Sequence, residues 1–192
     1  SGMRTSQIKA GAPFDVFLPA HPSYSQQIYE WNLGSNPDTF LKGQCVLWSR
    51  ESSQKDVKDI LLSATKIALP KPKVAPYGAY AQNWMLDLQL WDLIKHKVVY
   101  AASVSQANPF IYSGNVDVAF TSASAIPLIS KGNFQPISQH EIPIYHTLSI
   151  IGDPHRKEIK EVRHFLQSES SRMLFREYGF QLVNPLPQSA SR

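Results

Sequence analysis

Apolar positions along this chain follow two spacings. Short runs rich in β-branched and aromatic residues read as strands: residues 14–20 (FDVFLPA), 44–50 (QCVLWSR), 66–70 (KIALP), 98–102 (VVYAA), 116–123 (VDVAFTSA) and 142–152 (IPIYHTLSIIG). Between them the apolar residues recur three or four apart, the spacing of a helix with one buried face. Such stretches are residues 23–33, 53–64 with Val57, Ile60 and Leu61 inward, 103–114, and the second half of 73–94 with Trp84, Leu88, Trp91 and Leu93/Ile94. Residues 155–179 form the last, with Ile159, Val162, Phe165, Leu166, Met173 and Leu174 as the expected inner side and Gly179 as the stop. Strands separated by helices predict α/β layers with mostly parallel sheets. There is no internal repeat or low-complexity segment, and residues 70–76 (PKPKVAP) read as a rigid loop.

The helix starts carry the first chemical hint. Ala75-Pro76-Tyr77-Gly78-Ala79 offers no Asp, Ser or Thr to cap first-turn N–H groups. Water is the ordinary partner of such donors; an anion is the other. A second start, directly after a strand, brings Ser103, Val104, Ser105 and Gln106, and a third brings Ala20. These three strand-to-helix turns read as small or neutral residues, with no lysine or arginine expected at the ion. In open α/β sheets, ligands bind at the carboxyl ends of strands, where helix N-termini point. Converging N–H groups and hydroxyls there hold an anion without formal positive charge. Together the three starts suggest a small, desolvated oxyanion.

Composition narrows the alternatives. The 192 residues are 43% hydrophobic and 18% charged, enough apolar content for a core and too little charge for a disordered chain. The net charge is +4, but Lys71/Lys73, Lys95/Lys97 and Arg156/Lys157/Lys160 are small scattered clusters, so no nucleic-acid partner is expected. Arg163, Arg172 and Arg176 with Glu169 and Glu177 read as ordinary pairing along a helix. Cys45 is the one cysteine, which excludes an internal disulfide and reads as core packing. No apolar run reaches membrane-spanning length and no leader precedes Ser1, so a soluble chain is expected. In residues 140–146 (HEIPIYH) the histidines are not four apart on a helix, and no metal is expected. An enzyme would pair Ser122 or Cys45 with His146 or His21, but no local nucleophile signature is present, so neither catalytic residues nor a cofactor are expected. Ser122 and Ser124 read equally as packing or as ligands, and Ser105 reads first as a helix cap.

Several segments carry a resemblance: IKAGAPFDVFLPA, APYGAYA, LWDLIKHKVVYAASVSQANPFIYSGNVDVAFTSAS, IPIYHTLSIIGD and FLQSESSRMLFREYGF. In order, from about Gln7 to Phe180, they resemble the molybdate-binding periplasmic proteins of ABC transporters. The resemblance implies a type II periplasmic binding fold, with two α/β lobes, a two-strand hinge, and molybdate or tungstate in the cleft held by neutral hydrogen bonds. It implies a periplasmic location and a membrane permease as partner. Carried over by position, Ala20, Tyr77 and Val104 supply backbone N–H contacts, Ser122 takes the place of a ligand tyrosine, and Ser1 falls where a ligand-serine loop belongs.

The departures from the family shape the remaining expectations. Its first strands and one ligand serine have no counterpart here, and Ser1-Gly2 reads equally as a cloning remnant. Lobe I is expected from residues 1–43 and 153–192, lacking its first strands, and lobe II from 44–152, with residues 44–50 and 142–152 as crossing strands. Strand 14–20 is then an open edge, which predicts a homodimer through the incomplete lobe. The alternative is a vestigial binding module, or the ligand-sensing domain of a regulator, with altered or no oxyanion binding.

Overall fold

The computed structural model describes residues 2–50, 55–137 and 143–183. Ser1, the first residues of the expected helix at 53, and His140 to Ile142 therefore lie outside the described residues. In chain order the elements are α1 (Gly2–Lys9), β1 (Val16–Phe17), α2 (Pro22–Glu30), β2 (Asp38–Gly43), β3 (Cys45–Ser49), α3 (Val57–Ser63) and β4 (Ile67–Pro70). There follow α4 (Pro76–Asp87), α5 (Trp91–Ile94), β5 (Val98–Ala101), α6 (Val104–Tyr112), β6 (Val118–Ser122) and β7 (Asn133–Pro136). The last are β8 (Ile144–Ile150), α7 (Lys157–Gln167), α8 (Glu169–Glu177) and β9 (Gln181–Leu182). Contacts divide the chain into two units, Ser1–Gly43 with Tyr145–Arg192, and Gln44–Ile144. The second division falls at 144/145 rather than at the expected 152/153, because β8 pairs with β1 and so stays with the first unit.

The first unit holds a four-stranded sheet in the order β1-β8-β2-β9. β1 is antiparallel to β8 with Val16 opposite Ile150, and β2 is antiparallel to β9, so the expected parallel character is absent from these pairs. Ile8, Phe17 and Ile28 form one buried cluster with α1 and α2, and Lys9 lies 4.4 Å from the Trp31 ring centroid. Phe40, Leu41, Leu148, Ile150 and Ile159 form another, joined by Leu166 and Phe175 from α7 and α8.

The expected helix 155–179 is two helices. Ser168 ends α7 and caps α8, its Oγ accepting from the Ser171 N–H at 3.3 Å. In α7, Ile159 and Leu166 face inward and Val162 and Phe165 are exposed; the restart then shifts the helical phase, so Ser171 and Phe175 turn inward while Met173 and Leu174 are exposed, contrary to expectation. The expected helix over the second half of 73–94 is likewise broken: α4 stops at Asp87 and Gln89 has φ 58°, leaving Leu88 and Leu93 exposed.

The second unit is a five-stranded sheet in the order β5-β4-β6-β3-β7. β4 runs parallel to both β5 and β6, whereas β3 is antiparallel to β6 and β7. Opposite residues share a face and successive residues alternate. Phe120 therefore meets Trp84 of α4, ring centroids 6.2 Å apart, on one face, while Thr121 donates to Asn108 of α6 at 2.8 Å on the other. The helices α4 and α6 thus cover opposite faces, and Cys45 and Ser122, paired in register, lie on the α4 side.

Candidate functional site

The parallel strands β4, β5 and β6 end together. Pro70 is opposite Ala101, and β6 runs alongside to Ser122. The chain leaves β4 toward α4 on one face and β5 toward α6 on the other, so adjacent connections diverge at this edge, the arrangement at which open α/β sheets place their ligands.

Each connection is fixed by its own residues. After β4, the Lys71 N–H donates to Ala101 O at 2.7 Å, and the Ala75 N–H to Lys71 O at 3.0 Å, closing a tight loop. Helix α4 then begins at Ala75 with no side-chain cap and with Pro76, which has no N–H, in its first turn. Gly78 brings that turn against the strand: a Cβ there would lie 1.8 Å from Pro70 O, so the close approach requires glycine. Cys45 Sγ donates to Tyr77 O at 3.8 Å, supporting the same turn from below. Burial pushes the Cys45 thiol far above its ordinary range, and burial with the neighbouring Cys45 does the same for the Tyr77 phenol. Both groups are neutral at physiological pH and place no negative charge under the edge.

After β5, Ser103 caps α6, its Oγ accepting from the Gln106 N–H at 3.2 Å, so the cap is Ser103 and not Ser105, which lies 3.1 Å from it, Oγ to Oγ. Val104 is the first residue of α6. After β6, the Ala123 N–H donates to Gln44 O at 2.8 Å, and the Ser122 and Ser124 hydroxyls lie 2.6 Å apart. Tyr77, Val104 and Ser122 are thus brought to one edge. Ala20 belongs to the first unit, ahead of α2, where His21 is the cap and its Nδ1 accepts from the Ser23 N–H at 3.2 Å. Ser1 lies outside the described residues.

Charge in the second unit's sheet is concentrated at the opposite edge and is satisfied there. Asp117 accepts from the Thr65 N–H at 2.8 Å, the Thr65 hydroxyl at 2.5 Å and the Lys66 N–H at 3.2 Å, and lies 3.7 Å from Arg50. The Thr65 hydroxyl foremost holds the Asp117 carboxyl below its usual range, despite some burial. Contrary to the expectation of no lysine at these turns, Lys71 and Lys73 lie in the loop between β4 and α4, exposed, and bring positive charge near the edge. The pairing of Cys45 with Ser122 was also hidden, because it joins residues far apart in the chain. Among the described residues no cluster of His, Cys, Asp and Glu fits a metal.

A family model described as bacterial extracellular solute-binding protein matches residues 1–181. The chain belongs to that family. A putative ABC transporter substrate-binding lipoprotein YvgL of Bacillus subtilis is 32% identical over 187 residues, covering 94% of this chain and 72% of that relative. The molybdate-binding protein ModA of Rhodobacter capsulatus is 32% identical over 154 residues, 74% of this chain but only 61% of ModA. Among solved structures, the Azotobacter vinelandii periplasmic molybdate-binding protein superposes with a TM-score of 0.85 at 23% identity, over 96% of this chain and 85% of that one. That likeness shows the type II periplasmic binding fold implied by the resemblance. A solute-binding protein is a binder rather than an enzyme, and an extracytoplasmic location goes with its family. Among the described residues no helix is long and apolar enough to cross a membrane.

Proposed function

We propose that this solute-binding protein captures molybdate or tungstate, through neutral hydrogen bonds, for the membrane permease of an ABC transporter. The observation that carries the reading is the second unit's sheet edge. An uncapped helix start, a serine-capped one and a strand-end serine meet there, and the buried titratable groups beneath are neutral. The molybdate-binding relatives supply the choice of ion. Tyr77 and Val104 act as backbone donors and Ser122 as a hydroxyl donor. Ala20 and Ser1 are proposed as further contacts on the resemblance alone. Tungstate belongs with molybdate because both are dianions without a proton at neutral pH. Hydrogen phosphate keeps one, and in a site of donors that proton has no acceptor, a loss of about 1–3 kcal/mol.

Calorimetry with molybdate, tungstate, sulfate and phosphate tests this. Molybdate and tungstate should bind more tightly than phosphate, by roughly five- to 150-fold for that loss. Equal or tighter phosphate binding overturns the neutral-donor reading, and binding of none of the four favours the vestigial module instead.

We also propose that copies of the chain associate through β1. Asp15 O and Pro19 O bond toward β8, so by alternation the backbone groups of Val16 and Leu18 face outward, and among the described residues β1 pairs with β8 alone. Light scattering should show a concentration-dependent dimer; a monomer at every concentration overturns this.

A further inference from the structure

We propose that Ser124 is a positioning residue that sets the hydrogen-bond direction of Ser122 and so tunes the affinity of the sheet edge for a fully deprotonated oxyanion. The inference rests on the oxyanion reading above.

The two Oγ atoms are 2.6 Å apart, a distance at which one proton lies between them. Each hydroxyl has a single proton to give. If Ser122 donates to Ser124, its proton is spent and it turns lone pairs toward the edge, which repel an anion. If Ser124 donates to Ser122, the Ser122 proton is released to the ion, and accepting a bond makes Ser122 the stronger donor. An anion selects the second direction.

The surroundings favour this division of roles. Ser122 is 8% exposed, so few waters compete for its hydroxyl, while Ser124 is half-buried. The bend that brings them together is preset by the Ala123 N–H bond to Gln44 O at 2.8 Å and by the tight helical turn of Ala123–Leu128. Cys45, opposite Ser122 on the same face, directs its own proton to Tyr77 O. Ser124 is therefore the hydroxyl within reach to orient Ser122, and it acts through Ser122 without touching the ion.

Calorimetry with sodium molybdate on the full chain tests this with Ser124→Ala, Ser124→Thr, Ser122→Ala and the double alanine variant, each checked for an unchanged melting temperature. Ser124→Ala should weaken binding about tenfold, the scale of one hydrogen bond. Ser124→Thr, which keeps the hydroxyl, should restore it. Ser122→Ala should weaken binding at least as much, and adding Ser124→Ala to it should change nothing further, since the two act in series. Unchanged affinity in Ser124→Ala, additive losses in the double variant, or no rescue by threonine overturns the proposal. A wild-type chain that binds no oxyanion is a different failure: it removes the functional reading itself, before any variant is compared, and this proposal with it.

Discussion

His146 of β8 shows how one half-buried side chain ties stability to acidity. It packs edge-on against Phe180, ring centroids 5.2 Å apart, and burial lowers its pKa to about 4 from the usual 6.5. The unfolded chain therefore binds a proton that the folded chain excludes as the pH falls below 6.5. Stability from this residue is full above that value and is lost progressively toward pH 4, by up to roughly 3 kcal/mol. His146→Leu should flatten the fall in denaturation midpoint between pH 6.5 and 4, while a wild-type midpoint independent of pH in that window refutes the assignment. Ser122 gives the opposite lesson at this scale. Its position on a strand was legible from the short apolar run 116–123, but its hydroxyl partner was not, because Ser124 joins it only through a backbone bend fixed by Gln44.

At the level of the element, α4 stands or falls on Gly78. An alanine there would drive its Cβ into the Pro70 carbonyl, a backbone group that cannot rotate away. Gly78→Ala should destabilise the chain by roughly 3 kcal/mol, at the upper end of overpacking costs, and displace the first turn from the sheet edge. Urea unfolding gives the first quantity, and a change smaller than about 1 kcal/mol would show that α4 can slide without penalty. The strands β3, β4, β5 and β6 were legible because each is a short apolar run closed by a turn or a cap. Three other strands were not: β2 (DTFLKG) is separated from β3 by Gln44 alone and is interrupted by Asp38 and Lys42, β7 (NFQP) has Phe134 as its one large apolar residue, and β9 has two residues. Helix α1 was missed because only Thr5 and Ile8 of its residues turn inward. The break at Ser168 was missed because Val162, Phe165, Met173 and Leu174 continue a plausible stripe, and only the capping geometry reveals the change of phase. The candidate site was legible as helix starts after strands, but its loop lysines and its buried thiol support were not.

For the molecule as a whole, the two units differ in how the chain supplies them. The second is a single uninterrupted stretch, Gln44–Ile144, whereas the first is assembled from segments on either side of it. The pairing of Val16 with Ile150 closes a loop that contains the whole second unit, while even the longest pairing of the second unit, Val46 with Pro136, closes a shorter loop inside that unit. Residues 44–144 expressed alone should unfold cooperatively by circular dichroism, and residues 1–43 alone should show no transition. A non-cooperative second unit would mean that it borrows stability from the first. Refolding of the full chain should then have an order in time: Trp48, Trp84 and Trp91 report the early event, and Trp31, the one tryptophan of the first unit, reports the late one. On the oxyanion reading proposed above, the early folder is also the unit that carries Tyr77, Val104 and Ser122, so molybdate added during refolding meets these donors before the first unit has formed.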